Sequence, residues 1–178
     1  MELPAFNPEQ ITVINRSTLE AEDLVSNFYK LSSSQWLKKK YDIKTMVDLL
    51  PDEIVHGPFA QILHYKGWPR GASLESKSYD FYKICIQDHS ILGVIQDFTS
   101  IQLFPFSLYI IIHELIHVVR FSQYSQNFYA SIEEKMSEEK RVHEKTHEVL
   151  KDTRIQGVNA VFDFYHQWLL PLDSMKAS

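Results

Sequence analysis

Two histidines four positions apart, with a glutamate directly after the first, stand in the most apolar stretch of this 178-residue chain. The stretch reads Ser107-Leu-Tyr-Ile-Ile-Ile-His-Glu-Leu-Ile-His-Val-Val-Arg-Phe121, and the pattern is His113-Glu114-x-x-His117. A helix turns once every 3.6 residues and rises about 1.5 Å per residue, so positions i and i+4 share a face about 6 Å apart. Two imidazoles at that spacing can each bring a ring nitrogen about 2.0–2.1 Å from one Zn²⁺. Glu114 then lies beside the ion without pointing straight at it, where a carboxylate can take a proton from an activated water. The chemistry these residue types suit is metal-assisted hydrolysis.

The pattern occurs twice. His143-Glu144-Lys145-Thr146-His147 repeats it inside a strongly charged run, where most groups can face water. The first copy has Ile110, Ile111 and Ile112 before it and Leu115, Ile116, Val118 and Val119 in and after it. A helix that apolar all round is a buried one. Burying two imidazoles and a carboxylate without partners costs several kcal/mol, and a metal ion removes most of that cost. The plainer alternative is a buried, hydrogen-bonded histidine pair with no ion.

Uncharged residues around and within His113 to His117 make the segment resemble the active-site helix of zincin metallopeptidases. The likeness covers about ten residues; the rest of the chain is merely compatible with it. The metzincin branch needs Gly and His where Arg120 and Gln123 stand. The gluzincin branch is the better match, and it implies a glutamate ligand on a following helix about twenty residues after the second histidine.

Periodicity identifies candidates for that third donor. Ile132, Met136, Val142, Val149 and Leu150 repeat at helical spacing, and Glu139, His143 and Thr146 fall on the stripe through Ile132, Met136 and Leu150. Glu139 lies 22 residues after His117, and the resemblance makes it the third ligand. Where the family often has a carboxylate that orients a ligand histidine, this chain has His143. That residue can be an outer partner, a hydrogen-bond donor to the transition state, or the third ligand itself. Alternatively, Glu139 and His143 form a simple i, i+4 pair on a partly exposed helix. Glu138 shares a face with Glu134, Arg141 and Lys145 and is expected to be solvated, as is His147. His56, His64, His89 and His166 carry no usable ligand spacing.

The expected site is therefore one Zn²⁺ per chain on His113, His117 and Glu139, with Glu114 as general base and His143 as a catalytic donor. Tyr124 and Tyr129 are other candidates for that donor. Peptide or protein is the expected substrate. Two other classes compete: a metal-binding protein that hydrolyses nothing, and a carboxylate di-iron protein built on Glu114-x-x-His117 and Glu144-x-x-His147. The di-iron reading needs two more inward glutamates, for which only Glu20, Glu22, Glu53 and Glu75 are on offer, and it leaves His113 unexplained.

The elements that must position these residues read as a single α+β domain over 1–178, mainly helical. A capping box at Ser17-Thr-Leu-Glu20 predicts a helix to about Leu31, inside a helical N-terminal part, 1–75. Short helices are expected at 35–40, at 43–50 before Pro51, and at 59–65, followed by a loop over Gly67-Trp-Pro-Arg-Gly71. A small antiparallel β-sheet is expected as a hairpin over 79–96, with strands 79–87 and 91–96 about Asp88-His-Ser90. The resemblance implies that an edge strand of such a sheet holds an extended peptide. The metal helix at 107–121, the third-ligand helix at 131–151 and a core-packing helix at 154–170 complete the chain.

Composition narrows the partners. With 44% hydrophobic residues the chain can build a core, and at a net charge of −5 it offers no basic surface for nucleic acid beyond Lys38-Lys-Lys40. The apolar run 103–119 is broken by Pro105 and carries three ionisable groups, so no membrane span is expected. A single cysteine, Cys85, fits a reducing compartment and reads as a small core residue. The expected location is cytoplasmic.

Overall fold

The computed structural model describes residues 2–36, 40–67, 71, 78–123 and 129–176, with backbone alone at 123 and 168–176. The elements are α1 (Pro8–Phe28), β1 (Tyr41–Lys44), two single 3₁₀ turns (Met46–Asp48 and Pro51–Glu53), β2 (Ala60–Gly67) and β3 (Tyr79–Ile86). Four more helices follow: α2 (Asp88–Asp97), α3 (Leu103–Gln123), α4 (Ile132–Leu150) and α5 (Val158–Lys176). The class is α+β, as expected, with the sheet ahead of the His-Glu-x-x-His helix.

The strand order is β1-β3-β2, with β3 central. β1 runs parallel to β3 and pairs Ile43 with Ile84, while β2 runs antiparallel and pairs Ile62 with Ile84. The sheet is thus mixed. Tyr82, Ile84, Cys85 and Ile86 of β3 are all buried. Cys85 is fully enclosed and burial pushes its thiol up to about 11, so it is the inert core residue expected.

The expected hairpin over 79–96 is half right. Its first strand forms, but 91–96 belongs to α2, and the antiparallel partner of β3 is β2, whose span was expected to be helical. Short apolar runs do not reveal their period, and here pairing decides. β3 already has a neighbour on each edge, leaving no place for a further strand. Asp88 then opens α2, and its buried carboxylate accepts hydrogen bonds from the Phe6 N–H at 2.8 Å and the Met46 N–H at 3.1 Å.

Three other N-terminal expectations also shift. α1 starts not at Ser17 but at Asn7, whose side chain accepts from the Gln10 N–H while Gln10 Oε1 accepts from the Asn7 N–H, with Pro8 next in line. Ser17 lies mid-helix, buried, and its hydroxyl donates back to the Val13 carbonyl. Instead of a helix at 43–50 there is β1 and one 3₁₀ turn, and Pro51 begins a second turn. Of the segment at 35–40, residues 37–39 lie outside the described residues, and Gln35 closes a turn. Most of the loop at 67–71, Lys38, Lys39 and Glu75 lie outside as well.

α3 is the axis of the molecule and packs on α1, α4, α5, α2 and β2. Phe106, Leu108, Ile111, Ile112, Leu115, Ile116, Val118 and Val119 are each at most 1% exposed. Pro105 sits in the first turn, where its missing N–H costs no helical hydrogen bond. The 103–122 stretch is long and apolar enough to cross a membrane, but 72% of that stretch is covered by the rest of the fold.

Candidate metal centre

α3 delivers His113 and His117 on one face, and α4 crosses it with Glu139 and His143. α4 is held in register by Ser131, whose hydroxyl accepts from the Glu134 N–H, and by Val142, Thr146, Val149 and Leu150 in the core. Ile132, expected on the inward stripe, is exposed in the first turn.

Four side chains converge. Nε2 of His113 and Nε2 of His117 are 3.2 Å apart. The Glu139 carboxylate bridges them, Oε1 at 2.8 Å from His113 Nε2 and Oε2 at 3.0 Å from His117 Nε2. His143 Nε2 stands 3.4 Å from Glu139 Oε1. Ligand atoms of His113, Glu139 and His143 all lie within 4.8 Å of one another. His113 and His143 are almost fully buried, while the Glu139 side chain is 39% exposed and forms the open side.

These distances pass a test for a small tetrahedral cation. Donors about 2.0–2.1 Å from such an ion stand about 3.3 Å from one another. The contacts among His113, His117 and Glu139, at 2.8–3.2 Å, are near that edge length. Without a cation, each imidazole can donate an Nε2–H to one oxygen of Glu139, but the two N–H groups then face each other across 3.2 Å, a contact that a shared cation relieves. Nδ1 of both histidines is buried with no hydrogen-bond partner among the described residues, so no outer acceptor fixes these rings.

The charges are arranged accordingly. Burial pushes His113 down to about 4, against the pull of Glu139, so its ring is neutral at pH 7 and able to ligate. Burial also disfavours charge on His117, but hydrogen bonding and attraction from Glu139, with help from Glu114 and Glu138, outweigh it and raise His117. Glu139 is pushed up by burial yet held well below the ordinary carboxylate range by the surrounding imidazoles. Glu114, partly buried, is pushed up to about 7, chiefly by burial. A carboxyl near 7 is suited to taking and returning a proton at neutral pH.

A cavity of about 80 Å³ adjoins the cluster. Ile110, His113 and Glu114 line it from α3, Glu139 and His143 from α4, Phe59 and Ala60 from the start of β2, and Tyr165 from α5. Sequence reasoning did not anticipate Tyr165 at this wall or Tyr109 behind it. Tyr109 donates or accepts at 2.7 Å from His143 Nδ1 and stacks on Tyr165 with ring centroids 4.1 Å apart. Tyr109 precedes His113 by four positions, so its face was readable; the docking of α5 was not.

The remaining candidates are placed elsewhere. Tyr129 is 70% exposed and its hydroxyl lies 3.1 Å from His64, not in the cavity; Tyr124 lies outside the described residues. Glu144 and His147 are exposed, and His147 rests on Phe162, so the second Glu-x-x-His unit does not join the first. Glu53 is committed to Lys83 at 2.7 Å, and Glu20 is exposed.

Glu138 is a correction. It is 5% exposed and pairs with Arg120 of α3 and with Arg141, the latter at 3.3 Å. Its helical face looked charged because Arg141 lies on it, while the second cation, Arg120, comes from α3 and is invisible to the periodicity of α4. Replacing Glu138 with alanine removes the carboxylate from a largely buried guanidinium and is expected to cost about 3 kcal/mol. Denaturant unfolding with unchanged m reads that loss directly.

No family model, curated protein or solved structure matches this chain.

Proposed function

We propose that the chain is a zinc-dependent hydrolase acting on peptide bonds, of the zincin type that its His-Glu-x-x-His helix resembles. The observation that carries this reading is the convergence of His113, His117 and Glu139 from two crossing helices, beside a glutamate pushed up to about 7. His113, His117 and Glu139 would hold the metal. Zinc bound there supplies a water acidified from 15.7 toward about 7 and polarises a carbonyl oxygen.

The chain's own groups do the rest. Glu114 takes the proton of the attacking water and returns it to the departing amine. His143 faces the same cavity and donates a hydrogen bond to the carbonyl oxygen as it gains charge. Phe59 and Ala60 put the start of edge strand β2 at the cavity, where an extended peptide adds through main-chain hydrogen bonds. With Cys85 as its one cysteine, the chain suits a reducing, cytoplasmic setting.

A second reading has its own observation. The cavity, at about 80 Å³, has room for two or three waters, which suits a metal-binding regulatory protein that turns over nothing. Both readings require the ion. Titration of metal-free protein with Zn²⁺ is expected to saturate at about one equivalent. It should stabilise the fold by about 4 kcal/mol at a thousandfold excess over Kd, reversed by chelator. No saturable binding ends both. Cleavage of a peptide library by the zinc-loaded chain, abolished by chelator, separates the first from the second.

A further inference from the structure

Four donors surround the cluster, yet only three are needed if a position is to stay open for water. His143 is the one whose role the spacing left open, and its surroundings decide it. Tyr109 is buried at 2% exposed, and among the described residues the only hydrogen bond of its hydroxyl is the 2.7 Å contact to His143 Nδ1. Two proton arrangements are compatible with that contact. If Nδ1–H donated to the phenol oxygen, the phenol hydrogen would be buried with no acceptor among the described residues. If the phenol donates, the hydrogen sits on Nε2 instead, where it faces the cavity and the Glu139 carboxylate, with Oε1 at 3.4 Å, while the other arrangement turns an Nε2 lone pair toward that carboxylate. Orphaned buried donors are rarer and costlier than orphaned acceptors.

We infer that Tyr109 holds His143 in the tautomer with hydrogen on Nε2, making His143 a hydrogen-bond donor to an oxygen in the cavity and not a metal ligand. Nε2 is buried and has no hydrogen-bond partner among the described residues, with Glu139 Oε1 3.4 Å away. An N–H so placed is satisfied by a carbonyl or carboxylate oxygen entering the cavity. Tyr109 is thus a positioning residue. It stacks on Tyr165, with His143 5.1 Å from Tyr165 and 5.8 Å from Tyr109, so the three rings form one packed unit that fixes the direction of the N–H. The oxygen is that of a scissile carbonyl only if the peptidase reading is right; the tautomer and the denial of a lone pair to the metal stand without it.

The test is ¹⁵N spectroscopy of histidine-labelled protein, with and without zinc, with the His143 resonances assigned by their loss in His143→Gln. Wild type is expected to show hydrogen on Nε2 and a bare, hydrogen-bonded Nδ1 in both states. Tyr109→Phe keeps the stacked ring, and hydrogen is expected to move at least partly to Nδ1. Hydrogen on Nδ1 in wild type, a zinc-coordinated Nε2, or a tautomer unmoved by Tyr109→Phe overturns the inference. The wild-type spectrum decides even if the variant misfolds. Zinc affinity of His143→Gln within a hundredfold of wild type supports the donor role, and a larger loss assigns it as a ligand. Neither readout uses hydrolysis. Failure of the peptidase reading shows instead as absent zinc or absent cleavage.

Discussion

Replacing His113 and His117 together with asparagine is expected to take bound zinc from about one per chain to none, measured by metal analysis after dialysis against trace zinc. Each side chain supplies a nitrogen within 3.2 Å of the other and within 3.0 Å of Glu139, so removing both leaves Glu139 on the open side and His143, which on the inference above offers the ion no lone pair. A lone, partly exposed carboxylate is a poor zinc site. Thermal unfolding should separate loss of metal from loss of fold. The variant is expected to melt cooperatively, at a temperature no longer raised by zinc. Full zinc retention would place the ion elsewhere, with His143 the first alternative.

Replacing Glu114 with glutamine is expected to leave zinc at about one per chain while cleavage falls by about 10²–10⁴-fold, the usual worth of a positioned general base. The amide keeps the shape and hydrogen-bonding size of the carboxyl but accepts no proton at neutral pH. Glu114 lines the cavity beside His113, and it has no hydrogen bond or ion pair among the described residues that the change would break. A fall in kcat with KM unmoved identifies an interaction made in the transition state. Undiminished turnover with zinc in place would remove Glu114 as the base.

Legibility in the sequence followed the length and regularity of each signal. α3 and α4, long and periodic, lie within a few residues of where the spacing put them, and with them come His113, His117, Glu139 and His143. α5 was likewise recognisable, but not that Tyr165 faces the cavity. The sheet was only partly readable. The spans 59–65 and 91–96 are apolar runs of six or seven residues, too short to show a period, and each took the opposite state to that expected. What decided them was long-range: β2 and β1 claim the two edges of β3. Ser17 misled because a capping pattern also occurs inside a helix already under way, while Asn7 and Gln10 do the capping. Glu138 misled because a carboxylate amid charge looks solvated until its cations are seen to enclose it.

The helix carrying His113, Glu114 and His117 is also the one that every other helix and β2 lean on. In many enzymes the working groups hang from surface loops, which can lengthen or drift while the scaffold stays put. If the proposed function holds, reagent and keel are one piece here. Variation in this lineage would then accumulate in the rim contributed by the start of β2 and by α5, leaving 106–119 nearly immutable. Tuning of preference would have to come from the periphery inward.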